Sequence, residues 1–471
     1  MRRTKIICTL GPSSESEEMI TKLCNAGMNV ARLNFSHGTH EEHKVKIDRI
    51  KKVRKELDYP LAIMLDTKGP EYRVGVFENK KALIPDGAEF TFTTEDITGD
   101  EHRVSVSYKN LPNEVKVGDQ ILVNDGLLIF KVKKITDTEI ICDTVTGGVL
   151  SDRKSMNFPE HVLQGDYLSE NDKSDLLFGI ENDVDLVAAS FVSTKDDVQS
   201  LRDFLDKNGG EDIDIIAKIE NQSGVDNIDG ICEVADGIMV ARGDLGVEIP
   251  YKELTVVQKQ LIHKCRMIGK TVITATEMLE SMINNPRPTR AEISDVSNAV
   301  YDGSTAIMLS GETAAGKYPV HAVETMSDIA EYTEDNINYK KDFIDAHYVI
   351  KNSVDALSRE TCTLAMDTSS KGIVISSITG KTIRFVSRFR CPIPIVGLTV
   401  DEKAYRKLSL NWGVIPVQCE EFDSVDKMMK HASKVVKDIL NLKKDDKVIL
   451  TGGEIGKNGG STNTIRLEVV E

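Results

Sequence analysis

The sequence predicts an α/β protein: a TIM (β/α)8 barrel with an inserted small all-β domain and a C-terminal open-sheet α/β domain. Three observations lead there. First, short and nearly continuous apolar runs recur eight times between residues 6 and 310, mostly followed by a stretch able to form a helix. Runs of that kind form parallel strands covered on both faces by helices. Second, the third and fourth runs lie ~115 residues apart, far beyond the short loops of a βα unit, and the chain between them changes to two-residue alternation. Third, strands and helices begin to alternate afresh after residue 346.

The eight runs are 6–10, 30–33, 62–66, 186–190, 215–220, 238–242, 272–276 and 306–310. In a barrel the functional groups sit at the C-terminal ends of the strands, and there this chain concentrates Arg, Asp, Lys, Glu, Thr and Ser. Within the insertion, Glu89-Phe90-Thr91-Phe92-Thr93 alternates. Gln120–Val123 faces Leu127–Phe130 across Asn124-Asp125-Gly126, an Asp-Gly hairpin signal. After residue 346, strands are expected at Gly372–Ser376, Ile395–Leu398, Val414–Val417, Val448–Leu450 and Ile465–Val470, with a helix over Ser424–Ile439. The expected domains are 1–69 with 168–345 (barrel), 70–167 (an inserted β-barrel lid) and 346–471 (a regulatory α/β domain).

With 471 residues, 40% hydrophobic and 28% charged, the composition is that of a soluble globular protein. No apolar run approaches the ~18–20 residues that span a bilayer. The basic-then-apolar start runs into Gly11-Pro12 too soon for a signal peptide and reads as a first strand. Eight scattered cysteines without a Cys-x-x-Cys pair indicate reduced thiols in a cytoplasmic protein. A net charge of −16 excludes general nucleic-acid affinity and leaves room for a local anion pocket.

Lys218 and Glu220 are two apart at the end of an apolar strand, so they share a face. A charged pair pointing into a barrel is costly unless paired or used. Asp244, after Arg242-Gly243 on the next strand, adds a second carboxylate, and two carboxylates from adjacent strand ends suit Mg2+. A lysine there would neutralise charge developing on a transferring phosphoryl group. Arg32 through Gly38 and Asp66 through Glu71 supply further polar loops at the same end. Two other patterns are set aside. Gly311 to Lys317 fits a phosphate loop until Tyr318 stands where Ser or Thr is required. His37, His40 and His43 lack further zinc ligands nearby and are expected to be solvated.

These residues resemble the pyruvate kinase family over essentially the whole chain. The matching stretches are Arg3-Thr4-Lys5-Ile6 to Gly11-Pro12-Ser13, Asn34-Phe35-Ser36-His37-Gly38, Asp66-Thr67-Lys68-Gly69-Pro70-Glu71, Ala217-Lys218-Ile219-Glu220-Asn221, Ala241-Arg242-Gly243-Asp244-Leu245-Gly246, and Met278 to Met282 leading into Asn285-Pro286-Arg287-Pro288-Thr289-Arg290. The resemblance implies phosphoryl transfer from phosphoenolpyruvate to ADP and protonation of enolpyruvate to pyruvate. It implies Lys218, Arg32 and Thr276 as catalytic, and Arg32, Gly243, Asp244 and Thr276 as substrate contacts. Asn34, His37, Arg73 and Lys154 fall to the nucleotide. Glu220 and Asp244 fall to Mg2+, with Mn2+ as an alternative, and Asn34, Ser36, Asp66 and Thr67 to K+. Glu71 matches the acidic loop that accompanies K+ dependence, and Ser310 joins Thr276 as a candidate in proton delivery through water.

Ser376, Ser377, Thr379, Gly380, Lys381 and Thr382 resemble the family's effector loop for a phosphorylated ligand, with Gly452-Gly453 and Gly459 to Asn463 as a second wall. The family implies a homotetramer. An end at Glu471 suggests that the extra C-terminal domain of some bacterial relatives is missing. Glu277 departs from the usual Gln beside Thr276, Ser155-Met156-Asn157-Phe158 departs beside Lys154, and Val74, Ser193 and Thr305 are unusual at their positions. Two rivals are a Mg2+-dependent lyase or aldolase, and a catalytically silent metabolite sensor in which Glu277 spoils the chemistry.

Overall fold

A computed structural model describes residues 1–159, 166–346, 348–453 and 462–470. Eight parallel strands close into a barrel in the order Lys5–Thr9, Ala306–Leu309, Thr271–Ala275, Gly237–Ala241, Asp214–Ile219, Leu186–Ala189, Ala62–Asp66 and Val30–Asn34, the last pairing with the first. Each corresponds to one of the eight apolar runs. Several intervening helices open on capping boxes that the sequence spells out. Thr39 with Glu42, Ser169 with Asp172, Thr194 with Asp197 and Thr289 with Glu292 are four of them.

Alternate strand residues divide between two cores. One set, including Ile6, Cys8, Ile63, Leu65, Ile215 and Ala217, packs under the helices. The other, including Ile7, Val30, Ala62, Met64, Leu186, Ala188, Ile216 and Met308, fills the barrel interior. Continuing this alternation places Arg32, Asp66, Ser190 and Lys218 on the inward face at the C-terminal rim. Leu410, from the C-terminal part of the chain, joins the interior cluster and stops the barrel's other end.

The insertion forms one seven-stranded sheet and a two-stranded ribbon. Val74 bridges to Val106, and Gly75 N donates to Ser105 O at 2.8 Å, so the two ends of the larger sheet meet. Phe90, Phe92 and Phe130 are fully buried at its centre, with ring centroids 5.1 to 5.5 Å apart. The hairpin is present, but Val123 pairs with Leu128, so its loop is Asn124 to Leu127 rather than three residues. Asn124, Asp125 and Gly126 all adopt positive φ, a geometry that Asn, Asp and Gly tolerate best.

The C-terminal sheet has five strands in the order Val414–Gln418, Ile395–Thr399, Gly372–Ser376, Lys447–Gly453 and Thr462–Val469. The first four are parallel and the last is antiparallel. The helix Val425–Leu440 covers this sheet, with Met428, Met429, Ala432 and Val436 buried. No helix of the described residues is long and apolar enough to cross a membrane. All eight cysteines are free.

Candidate active site

At the C-terminal rim, three neighbouring strands deliver Asp66, Ser190 and the pair Lys218 and Glu220. Lys218 Nζ donates to Ser190 Oγ at 2.6 Å and to Asp66 Oδ1 at 3.2 Å, and lies 3.0 Å from Glu220 Oε1. Arg32 Nε donates to Asp66 Oδ2 at 2.6 Å, and its Nη1 to Thr9 Oγ1 at 2.8 Å. All are buried, Glu220 and Asp66 to 1% exposure. The loop after Asp66 presses against Ser190. Gly69 has φ +68°, and a Cβ there would stand 2.9 Å from Ser190 O, so only glycine fits.

The electrostatics follow from this packing. Burial opposes the Lys218 charge, yet Asp66 and Glu220 outweigh it and raise its pKa above the usual ammonium range. Lys218 is therefore a fixed cation. Burial also resists ionisation of Asp66, but Arg32 and Lys218 prevail and hold it low. Glu220 is different: burial lifts it to about 7, with Lys218 opposing and Asp244 adding to the rise. Burial likewise raises Asp244, against Lys218 and a hydrogen bond with Glu220. Phe191 N donates to Glu220 Oε2 at 2.6 Å, while the buried Oε1 faces the Lys218 ammonium at 3.0 Å. Two adjacent buried carboxylates that resist ionising together fit a divalent cation. Among the described residues no group of three or more His, Cys, Asp or Glu is arranged to hold a metal, so other ligands would come from substrate and water.

Arg242 organises the neighbouring loop. It pairs with both oxygens of Asp295 at 2.6 and 2.7 Å, and donates to Ala275 O at 3.3 Å and Thr276 O at 2.5 Å. Gly243 N donates to Thr276 Oγ1 at 2.8 Å. Thr276 and Glu277 have φ of 69° and 54°, a left-handed pair that a β-branched residue adopts only when its surroundings impose it. Glu277 is exposed, so the expectation that its charge intrudes on the site finds no support in its burial. What the sequence missed is the strained backbone.

The insert covers this end of the barrel. A cavity of about 310 Å3 is lined by Glu71, Arg73 and Lys154 on the insert side and by Asn221, Asp244 and Glu248, among others, on the barrel side. Asn157 Nδ2 donates to Glu248 Oε1 at 2.8 Å across the gap. Arg73 forms an ion pair with Glu71 and donates to Arg153 O at 2.6 Å. Asn34, Ser36 and His37 do not line this cavity. They form a separate turn in which Ser36 N donates to Asn34 Oδ1 at 3.1 Å.

The histidine expectation needs correcting. His43 is only 2% exposed, stacks on Phe35 at 4.0 Å, and places Nε2 2.8 Å from His37 O. His40 stacks on Phe178 and meets Asp175 at 2.6 Å; His37 is exposed. Packing under the second strand, not zinc or solvent, accounts for His43. In the C-terminal sheet, Gly380 has φ 74° at the start of the helix Lys381–Ser387, and Thr382 Oγ1 lies 2.6 Å from Thr462 Oγ1. Gly459, Gly460 and Ser461 lie outside the described residues.

The sequence reading also passed over Ser190, Thr9 and Arg242 as site residues. Ser190 carried a signal, because it closes an apolar strand with a polar residue on the inward face.

A (β/α)8 barrel whose strand ends gather a fixed lysine, an arginine and three carboxylates beneath a β-sheet cover is built as a barrel phosphotransferase. Residues 1–323 match the family model for the pyruvate kinase barrel domain, and residues 355–468 that for the pyruvate kinase alpha/beta domain. The chain is 46% identical to the pyruvate kinases of Clostridium acetobutylicum and Clostridium perfringens, over all of each chain. It is 45% identical to that of Bacillus licheniformis, covering 81% of the relative. The crystal structure of a pyruvate kinase from Cryptosporidium parvum superposes with a TM-score of 0.95 at 37% identity, covering 100% of this chain and 96% of the other. The chain belongs to the pyruvate kinase family.

Proposed function

We propose that the chain transfers the phosphoryl group of phosphoenolpyruvate to ADP at the C-terminal end of the barrel, giving ATP and pyruvate in the cytoplasm. The observation that carries this reading is Lys218, held charged between Asp66, Ser190 and Glu220 at the inner rim. As the P–O bond to the enolate oxygen breaks and a bond to the ADP terminal phosphate forms, Lys218 and Arg32 hold the moving phosphoryl group. Gly243, Asp244 and Thr276 orient the three-carbon acid. The methylene carbon of the enolate then takes a proton through water, with Thr276 and Ser310 as the candidate groups that deliver it.

Glu220 and Asp244 would hold Mg2+, or Mn2+, which when bound supplies charge neutralisation for the phosphoryl oxygens. Asn34, Ser36, Asp66 and Thr67 would hold K+, in keeping with the acidic Glu71. Arg73 and Lys154, facing Asp244 across the cavity, suit the ADP phosphates, with Asn34 and His37 on the outer side. We assign residues 70–167 the role of lid and 346–471 a regulatory role. The loop from Ser376 to Thr382 would take a phosphorylated effector, and the assembly would be a homotetramer. The exposed Glu277 gives no support to a silent sensor.

A coupled assay for pyruvate from phosphoenolpyruvate, ADP, Mg2+ and K+ tests the reading, and no turnover by folded protein overturns it. Equal activity in Na+ would remove K+ from the account. A flat response to sugar phosphates and nucleotides would remove the effector.

A further inference from the structure

The strands that deliver the site carry a second set of charges at their opposite ends. Asp185 immediately precedes the strand leading to Ser190, and Asp214 begins the strand leading to Lys218 and Glu220. Asp236 precedes the strand leading to Arg242 and Asp244. These carboxylates lace neighbouring strands together. Ile63 N, in the strand that ends at Asp66, donates to Asp185 Oδ2 at 2.8 Å. Ile215 N donates to Asp236 Oδ2 at 2.9 Å.

Side chains from the C-terminal part of the chain pair with Asp185 and Asp214. Arg406 Nε donates to Asp185 Oδ1 at 2.6 Å and its Nη2 to Asp183 Oδ2 at 2.8 Å. Arg384 pairs with Asp214, and Lys407 Nζ donates to Asp214 Oδ1 at 2.9 Å. Arg406 and Asp185 are 3% and 0% exposed as side chains. Burial alone would raise Asp214, but Arg384 and Lys407 outweigh it and hold it low.

We propose that Asp185 and Asp214, anchored by Arg406 and Arg384, are positioning residues that set the register at which Asp66, Ser190, Lys218 and Glu220 meet. Asp214, Ile216 and Lys218 alternate along one inward face, and a strand rises only about 3.3 Å per residue. A shift at Asp214 therefore reaches Lys218 along a stiff, doubly paired strand. The contacts there have little slack, and misplacement by about 1 Å can cost ~10²-fold in rate. The inference rests on the catalytic reading of the upper rim.

The test compares Arg384→Met, Asp214→Asn and the double variant in the full chain, with Lys403→Met as control. Lys403 reaches Asp212 at 2.9 Å and Asp183 at 3.4 Å across the same interface, both in turns before the strands rather than in a strand that enters the site. Each single variant is expected to lower kcat ~10-fold, with KM for phosphoenolpyruvate little changed. The double variant is expected to be no worse than the poorer single, as for residues acting as a unit, and Arg384→Lys to recover part of the loss. Hydrogen exchange should accelerate at the 217–220 strand end as well as in the C-terminal sheet. Acceleration confined to residues 372–470, or losses that multiply in the double variant, would overturn the proposal. Hydrogen exchange decides it even if the wild type fails to turn over, so failure of the catalytic reading remains distinguishable.

Discussion

The two ends of the barrel are made from the same residue types and are balanced differently. At the N-terminal end, Asp183, Asp185, Asp212 and Asp214 each pair with at least one of Arg384, Lys403, Arg406 and Lys407, while burial and Asp214 raise Asp236 beside them. At the C-terminal end, among the described residues, Asp66 pairs with Arg32 and Lys218, Glu220 pairs with Lys218, and Asp244 feels the same Lys218 charge. A buried network with every charge answered holds parts of a fold together. One whose carboxylates share too few cations has capacity left for a ligand. The lesson is that burial of charge does not by itself mark function. The imbalance marks it.

Breaking the C-terminal end should cost turnover most, and breaking the N-terminal end should cost stability along with a smaller loss of turnover. Lys218→Met is expected to lower kcat by ~10²–10³, the scale for one preorganised stabilising group. Turnover that survives would make Lys218 structural. Asp185→Asn leaves Arg406 buried without its main partner, and is expected to cost about 3–5 kcal/mol in denaturant unfolding. Wild-type stability in that variant would show that the lower network is decorative.

A smaller effect concerns Lys5, whose Nζ donates to Val414 O at 2.7 Å between the barrel and the C-terminal sheet. Burial, then Arg2, depresses its pKa to about 7, with Glu334 opposing. The unfolded value is about 10.4, so between pH 7 and 10 the folded state binds fewer protons than the unfolded one. Stability from this group therefore rises with pH across that window and is lost as pH falls through 7. Relative to the wild type, Lys5→Met should be most favourable near pH 6 and lose ground towards pH 10, by at most about 1.4 kcal/mol per pH unit. A pH-independent difference would contradict the buried-charge reading.

The sequence made the barrel legible because every strand announces itself as an apolar run with a polar end. Period-two alternation then put Lys218 and Glu220 on one face. What it could not supply was adjacency. Ser190 meets Lys218 only because the strands Leu186–Ala189 and Asp214–Ile219 are neighbours in the barrel. Arg406 meets Asp185 across 221 residues, a pairing no local pattern encodes. His43 was misread for a related reason: its burial depends on Phe35 folding back over it. The Thr276 and Glu277 strain left no trace in composition, because the Arg242 and Asp295 pair that imposes it is assembled from separate elements.

The imbalance at the C-terminal end is tested most directly by titrating the substrate-free protein with Mn2+ and following bound metal by electron paramagnetic resonance. The account expects binding in the wild type and in Asp214→Asn, marked weakening in Glu220→Gln and Asp244→Asn, and tighter binding as pH rises towards the Glu220 pKa of about 7. Equal Mn2+ affinity in all four proteins would contradict it.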